Sequence, residues 1–342
     1  MKKSLLALAV LGAFAGVASA QSSVTLDGTV DVNAKYVKND GSSRRYSLGT
    51  DGINSSQLRF SGREDLGGGL WAGFNLNSGV NADTGTANAK FWNRRTTVSL
   101  GGNFGEVRLG RDYTPTFSNN SAYDAFGTNG VGDSSHVLQK ATGTFVRADN
   151  SIGYFLPSGI GGAFGQVMVA AAEGGATNPG RYTGLRGGFG AGPFEVAAAY
   201  GQQKFVSGAT DQKTFNIGGK YDLGVVALMG YFDRDTQGND KENRYSFGAV
   251  VPVGQSQIKA GYQLSKRDNA GVTTKIDQFA VGYVYNLSKR SALYATASRL
   301  NNKNGTNASV AGGSSITALP VPGVAGGSAK STGAEFGIRH IF

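Results

Sequence analysis

Asp65-Leu66-Gly67-Gly68-Gly69 is the first of seven tight turns, six of them containing glycine or proline, that recur along the 342-residue chain at a nearly even spacing. The other six lie near residues 101–105, 157–159, 190–193, 222–224, 252–254 and 286–289. Most intervals hold a strand, a polar connection and a returning strand. Seven tight turns on one rim require eight longer connections on the other, which predicts sixteen strands. Even-numbered antiparallel barrels with this asymmetry are typical of the bacterial outer membrane.

Alternation of apolar and polar residues supports the strand assignment. In Thr214–Tyr221 and Gln257–Leu264, every second residue is apolar or glycine and the residues between are mostly polar. A soluble β-sandwich would show the same alternation. The number of strands, with no division into two packed sheets, favours closure, because a closed sheet leaves no backbone group unpaired in lipid. The sequence therefore predicts an all-β, sixteen-stranded, antiparallel transmembrane β-barrel.

The composition of the chain limits which covalent links and metal sites it can form. The chain is 39% hydrophobic and 16% charged, and it has no cysteine. Disulfides and thiolate metal sites are therefore excluded, and no residue pattern indicates a cofactor or another metal site.

The N-terminus predicts export. Lys2 and Lys3 precede an apolar run from Leu5 to Val17, and the small residues of a cleavage site follow at Ala18-Ser19-Ala20. This is the pattern of a secretory signal peptide over residues 1–20, with a mature domain over 21–342 that passes through the periplasm. A membrane anchor is the alternative, but the run is shorter than the ~20 residues that a spanning helix needs.

The basic charge excess does not indicate nucleic-acid binding. Without the signal peptide, 31 basic and 23 acidic residues give a net charge of +8. The basic residues are not clustered in the sequence, and the export signal directs the chain away from nucleic acid.

One connection is much longer than the others. The tight turns near Gly102 and Ser158 are 56 residues apart, and residues 111–146 form the third long connection. Loops of this length are usually functional or disordered. We expect the segment to fold into the lumen and constrict it, because its aromatic residues need a surface to pack against; a floppy surface loop is the alternative. The remaining long connections, including 233–243 and 266–275, are expected to be exposed loops.

Several stretches give the chain a strong resemblance to the general trimeric porins of Gram-negative bacteria, in particular the β-proteobacterial group that includes Neisseria-type and anion-selective porins. These stretches are 21–28, 64–70, 103–111, 285–290 and 337–340. The resemblance implies a water-filled barrel that packs as a homotrimer in outer-membrane lipid. It also implies that the terminal Phe342 is a signal read by the barrel-insertion machinery.

The resemblance also implies the residues of a constriction. In related porins, basic residues on the wall face acidic residues on the inward loop, and Arg94 and Arg147 match two of the wall arginines. The third falls on Gln57, where this chain departs from the family; Arg59, two residues along the same strand, is expected to replace its charge. Adjacent Arg94 and Arg95 should point to opposite faces of a regular strand, and the pattern does not decide which faces inward.

Strand parity and the loop sequence supply the other constriction residues. Lys35 lies on the predicted lumen face of the first strand, and Asp124 and Asp133 are the expected acidic residues of the inward loop. A wall with more basic than acidic groups favours anions. The sequence thus predicts passive diffusion of ions and small hydrophilic solutes, with weak to moderate anion preference.

Two other functions remain as alternatives. One is a solute-specific channel, although no run of aromatic or lysine residues for such a path is evident. The other is a barrel hydrolase, which needs a nucleophile, a base and an orienting group in contact. The two histidines, His136 and His340, are expected on the third loop and on the lipid side of the last strand. We therefore do not expect an enzyme.

Overall fold

The computed structural model describes residues 23–140, 144–172, 179–205, 209–310 and 329–342. The predicted signal peptide over residues 1–20 lies outside these ranges. No helix in the described ranges is long and apolar enough to cross a membrane.

Eighteen antiparallel strands make up the sheet in the described part of the chain. Their bounds are β1 Ser23–Asn39, β2 Arg45–Thr50, β3 Gln57–Gly67, β4 Leu70–Asn81, β5 Thr86–Ala87, β6 Arg95–Gly102, β7 Gly105–Tyr113, β8 Arg147–Phe155, β9 Ala163–Ala170, β10 Pro179–Ala191, β11 Phe194–Phe205, β12 Gln212–Asp222, β13 Ala227–Gln237, β14 Asp240–Val253, β15 Ser256–Asn269, β16 Val272–Asn286, β17 Ser291–Lys303 and β18 Ala329–Ile341. One α-helix, α1 (Pro115–Ala122), and two 3-10 helices, Gly130–Gly132 and Ser134–Val137, lie between β7 and β8.

The sheet closes on itself. The first strand, β1, pairs with the last, β18, from Thr29↔Ile341 to Asn39↔Ser331. The other edge of β1 pairs with β3 in its first half and with the short β2 in its second. Without β2 and the two-residue β5, sixteen strands form a continuous ring in which each has a neighbour on both edges. The predicted sixteen-stranded antiparallel barrel is confirmed.

All seven predicted tight turns join neighbouring wall strands. They connect β3–β4, β6–β7, β8–β9, β10–β11, β12–β13, β14–β15 and β16–β17. In the first of them, Gly67, Gly68 and Gly69 have φ of 81°, 63° and 81°. Only glycine adopts three such conformations in succession without steric cost.

The expectation of long loops at 233–243 and 266–275 is wrong. Strand β13 runs to Gln237 and β14 begins at Asp240, while β15 runs to Asn269 and β16 begins at Val272. Two-residue turns join each pair, and in the second Ala270 and Gly271 have φ of 53° and 83°, as in a type I′ turn. The sequence misled because these strand ends are polar on both faces and carry no apolar alternation.

The two faces of the wall differ sharply. Apolar side chains such as Phe247 and Phe279 are 63% and 55% exposed on the outer face, where lipid would cover them. The inner face carries polar side chains such as Asn216, Gln263 and Gln278, each at most 1% exposed. This distribution is the reverse of a soluble β-sandwich, whose apolar face is buried.

Helix α1 is bound to the inner face by the buried side chain of Asn119. The Asn119 amide donates to the Ala197 carbonyl at 3.1 Å and to Asn216 Oδ1 at 2.9 Å. Its Oδ1 accepts from Arg186 Nε at 2.9 Å. All three bonds are made by a side chain that is 0% exposed, so they fix the helix against β10, β11 and β12.

The rest of the β7–β8 connection also contacts the inner face. The backbone amide of Val131 donates to Glu335 Oε1 on β18 at 3.1 Å, and Tyr231 on β13 donates to Ser134 at 2.9 Å. Gly248 leaves room for the segment, because a Cβ there would stand 2.6 Å from the Ala125 Cβ. Residues 114–140 therefore contact strands on both sides of the barrel.

The Asn119 anchor gives a direct test of this packing. Asn119→Ala leaves buried partners unpaired, at a cost of about 1–3 kcal/mol for each group. We expect the barrel to keep its thermal unfolding midpoint while proteolytic cleavage between residues 114 and 146 becomes faster. Asn243→Ala, which removes a partly exposed side-chain amide from the outer face, is the control. Equal protease resistance of the two variants would contradict the anchoring role.

Candidate functional site

A cavity of about 610 Å³ lies between the polar wall and the β7–β8 connection. The wall contributes Gln57, Arg94, Tyr113 and Arg147. The connection contributes Phe117, Ser118, Ser121, Thr128, Asn129, Asp133 and Ser135, among others. The cavity is thus bounded by two cations on one side and by hydroxyls, amides and one carboxylate on the other.

The Tyr113 hydroxyl joins the two arginines. It accepts from Arg94 Nη2 at 3.1 Å and from Arg147 Nη2 at 2.9 Å. The Arg147 guanidinium also stands over the Tyr113 ring, 4.4 Å from its centroid. Two like charges are thereby held on one neutral acceptor, which fixes both of them at the cavity wall.

Aromatic stacking fixes this tyrosine to the helix. The rings of Tyr113 and Phe117 are stacked at 5.7 Å with an interplanar angle of 12°. Phe145 meets Phe117 edge-on at 6.0 Å. Because Tyr113 ends β7 and Phe145 precedes β8, the stack holds both ends of the connection together.

Arg94 and Arg147 differ from their arginine neighbours in charge compensation. Arg95 pairs with Asp112 at 2.7 Å, and Arg108 pairs with both Glu106 and Asp112. Among the described residues, neither Arg94 nor Arg147 forms a salt bridge; both side chains donate to the Tyr113 hydroxyl instead. The positive charge that faces the cavity therefore comes from these two side chains.

The orientation of the Arg94-Arg95 pair is settled by where the strand begins. Strand β6 starts at Arg95, which shares its inward parity with buried Thr97 and Ser99. Arg94 precedes the strand, and its backbone amide donates to the Asn77 carbonyl at 3.1 Å. Because Arg94 is outside the regular strand, both side chains reach the inner face.

Lys35 and Arg59 lie on the inner face but outside the cavity lining. Lys35 is 3% exposed, with its Nζ 3.6 Å from Glu335 Oε2. Arg59 pairs with Asp27 at 2.7 Å on the half of the wall nearer the tight turns. Each of these two positive charges is paired with a carboxylate. Arg59 therefore does not replace the free positive charge that an arginine at position 57 would supply.

The two predicted acidic residues have different surroundings. Asp133 lines the cavity and caps the second 3-10 helix, accepting from Ser135 N at 2.7 Å and Ser135 Oγ at 2.8 Å. Asp124 is 6% exposed and accepts from the amides of Phe126 and Thr128 at 3.0 and 2.9 Å. Burial, with the nearby Asp133 charge, raises the pKa of Asp124 above its ordinary value. Asp124 shapes the segment, and Asp133 is the carboxylate that faces the cavity.

A second inward segment escaped the sequence analysis. Asn54 and Ser55 line the cavity, and the backbone N–H of Asn54 donates to Asp31 Oδ2 at 2.8 Å. Ser55 Oγ donates to Asn129 Oδ1 at 2.9 Å, which ties the segment to the β7–β8 connection. Asp51 starts the segment with a φ of 65°. The adjacent Asp51-Gly52 was the available signal, because this pair is typical of turns.

Neither histidine stands in the cavity. His136 is in the second 3-10 helix, where desolvation lowers its pKa. His340 lies on the outer face of β18, as expected, with its Nδ1 2.9 Å from Ser291 Oγ. In the described ranges, no group of three or more His, Asp or Glu residues is arranged to hold a metal ion.

A closed sixteen-stranded barrel with an apolar outer face and a charged cavity inside defines a channel protein of the outer membrane. The chain belongs to the Gram-negative porin family, whose model matches residues 7–305. It is therefore an outer-membrane porin. Members of this family are channels rather than enzymes, which sets aside the hydrolase alternative.

Named relatives extend over the whole chain. The chain is 41% identical to outer membrane porin protein 32 of Delftia acidovorans and 30% identical to an outer membrane porin protein of Bordetella pertussis, with full coverage of all three chains. Among solved structures, the anion-selective porin from Comamonas acidovorans matches with a TM-score of 0.83 and 38% identity, over 94% of this chain and 100% of that one. OmpT of Vibrio cholerae shares the fold, with a TM-score of 0.67, at 15% identity and over 95% and 100% of the two chains.

The bridging hydroxyl of Tyr113 can be removed alone. Tyr113→Phe keeps the ring stack but deletes the acceptor of two guanidinium groups, and hydrogen bonds to charged groups contribute about 1.5–3 kcal/mol each. We expect a folded channel in which Arg94 and Arg147 move more freely, seen as larger open-channel current noise in single-channel recordings.

The control for this variant is Tyr262→Phe, which removes an outward-facing hydroxyl that is 40% exposed. Current noise that is the same in Tyr113→Phe, Tyr262→Phe and the wild type would show that the bridge does not hold the arginines.

Proposed function

We propose that this porin is a water-filled pore for passive diffusion of ions and small hydrophilic solutes, with weak to moderate preference for anions. The observation that carries the proposal is the charge of the cavity lining: Arg94 and Arg147, which form no salt bridge among the described residues, face one carboxylate, that of Asp133. Basic groups on a narrow wall favour anions over cations. The anion selectivity of the 38% identical Comamonas porin supports the same sign.

The preference for anions over cations should be incomplete. The cavity lining is largely polar, and in a water-filled pore mobile ions would screen the wall charges over a Debye length of about 8 Å in physiological salt. The serine, threonine and asparagine side chains opposite the arginines can replace part of the hydration shell of either kind of ion. Permeation of small hydrophilic solutes therefore needs no specific binding site.

We further propose that residues 111–146 fold into the lumen and form the constriction. The support is the anchoring of this segment to inner-face residues on β11, β13 and β18, through Asn119, Ser134 and Val131. These contacts leave the solute path on the side of the arginines. Lys35 and Asp124, both buried, would then position the segment and not line the path.

Assembly and targeting are proposed from the family. A homotrimer is suggested by family resemblance and by a solved trimer form of OmpT, a porin-like barrel of 14% identity. The Phe342 side chain is 43% exposed on the outer face, and its backbone forms two 3.1 Å hydrogen bonds with Gly28. An exposed terminal aromatic residue on the last strand suits recognition by the insertion machinery. Export through the periplasm would depend on residues 1–20.

Charge reversal at the two unpaired arginines tests the selectivity. In Arg94→Glu/Arg147→Glu, we expect the zero-current potential in a salt gradient to move toward cations. The anion-to-cation permeability ratio should fall by at least about fivefold, since one charge at ~4 Å contributes about 1 kcal/mol even in water.

The matched control is Arg234→Glu/Arg299→Glu, which reverses two arginines on the outer face of β13 and β17. A permeability ratio that changes equally in both double variants, or in neither, would refute the assignment of Arg94 and Arg147 to the filter.

A further inference from the structure

A row of basic side chains crosses the outer face of five neighbouring strands near the rim of the longer connections. Lys266 on β15 is directly opposite Lys275 on β16, and Lys275 is directly opposite Lys303 on β17. On the other side, Lys266 faces Asn243 on β14, which faces Arg234 on β13. We call Arg234, Lys266, Lys275 and Lys303 the basic row.

The row faces away from the lumen. Ile276, next to Lys275, is 2% exposed and packs inside the barrel. Arg267, next to Lys266, pairs on the inner side with Asp240 and donates to the Gln139 carbonyl of the β7–β8 connection. Because successive side chains of a strand point to opposite faces, the lysines point outward.

The row carries little compensating charge. Lys303 stands 3.6 Å from Asp277. In the described part of the chain, the side chains of Arg234, Lys266 and Lys275 form no ion pair and no hydrogen bond. Like charges directly opposite each other on neighbouring strands are destabilising. Two such juxtapositions in succession would be relieved by an anion bound from outside.

The position of the row relative to the apolar belt identifies the kind of anion. Phe279 is four residues along β16 from Lys275, which is roughly 13 Å at the rise of a β-strand, and is 55% exposed to lipid. Phe232, two residues from Arg234, packs against Tyr245 with ring centroids 5.2 Å apart. The basic row therefore lies at the outer edge of the apolar belt, where lipid headgroups lie.

We propose that the basic row binds the phosphate groups of a phosphorylated glycolipid, the lipopolysaccharide of the outer leaflet. Neighbouring strands are about 4.8 Å apart, so the row extends over roughly 20 Å and can meet more than one phosphate. The acyl chains would then lie along apolar residues beneath it, such as Tyr262 and Phe279. The proposal rests on the outer-membrane location of the barrel and is independent of ion selectivity.

The test compares two double variants that each remove two positive charges. Lys266→Gln/Lys275→Gln removes the two lysines without partners, and Lys289→Gln/Arg290→Gln removes two exposed charges from the tight turn at the opposite end of β16. Binding of purified lipopolysaccharide, and of the same lipid after enzymatic dephosphorylation, is measured in detergent by native mass spectrometry. Heat-modifiable electrophoretic mobility checks that each barrel is folded.

We expect Lys266→Gln/Lys275→Gln to lower affinity for intact lipopolysaccharide by roughly tenfold to thirtyfold, given the contribution of each basic residue near an anionic lipid surface. The turn variant should bind like the wild type, and the dephosphorylated lipid should bind all three proteins equally weakly.

Three results of the binding measurement would overturn the proposal. These are unchanged affinity in Lys266→Gln/Lys275→Gln, an equal loss in the turn variant, or strong binding of the dephosphorylated lipid by the wild type. A change of oligomeric state confined to Lys266→Gln/Lys275→Gln would also overturn it, because the row would then meet a second copy of the chain.

Discussion

The structure depends on one constraint: in hydrocarbon, no backbone amide or carbonyl can be left without a hydrogen-bond partner. The pairing of β1 with β18 meets this constraint by removing the last two sheet edges. After closure, one face of every strand contacts lipid and the other faces the lumen. The outer face must be apolar at the level of the acyl chains, and the inner face can carry buried amides and ions that a soluble core would exclude.

The polar inner face provides hydrogen-bond partners for the long β7–β8 connection. Asn119 and Val131 are held by bonds to opposite parts of the wall. Most wall charges are neutralised by neighbours, as for Lys35 with Glu335 and Arg59 with Asp27. Arg94 and Arg147 share a neutral tyrosine hydroxyl instead, so their positive charge remains available to ions in the cavity.

Features that depend on local sequence could be predicted, namely the number of strands and the two faces of the wall. Features that depend on residues of neighbouring strands, such as the ion pairs, could not. Turn chemistry and strand period gave the strand number and the two faces. The parity of Lys35 and Arg59 indicated the inner face, but their neutralising carboxylates come from strands that only the register identifies. For the same reason, the sequence did not predict that Tyr113 joins Arg94 and Arg147. It also did not predict the alignment of Lys266, Lys275 and Lys303, because these residues lie at polar strand ends that resemble loops.

We expect water and ions to pass between α1 and the arginine-bearing wall. The chain has no cysteine, so Ser121→Cys places a single thiol on α1 at the cavity. The decisive measurement is single-channel conductance before and after reaction of this thiol with a bulky, water-soluble methanethiosulfonate reagent, with Ala297→Cys on the outer face as the reference. We expect a large, lasting fall in conductance for Ser121→Cys and none for Ala297→Cys. Unchanged conductance after complete modification of Cys at position 121 would contradict the claim.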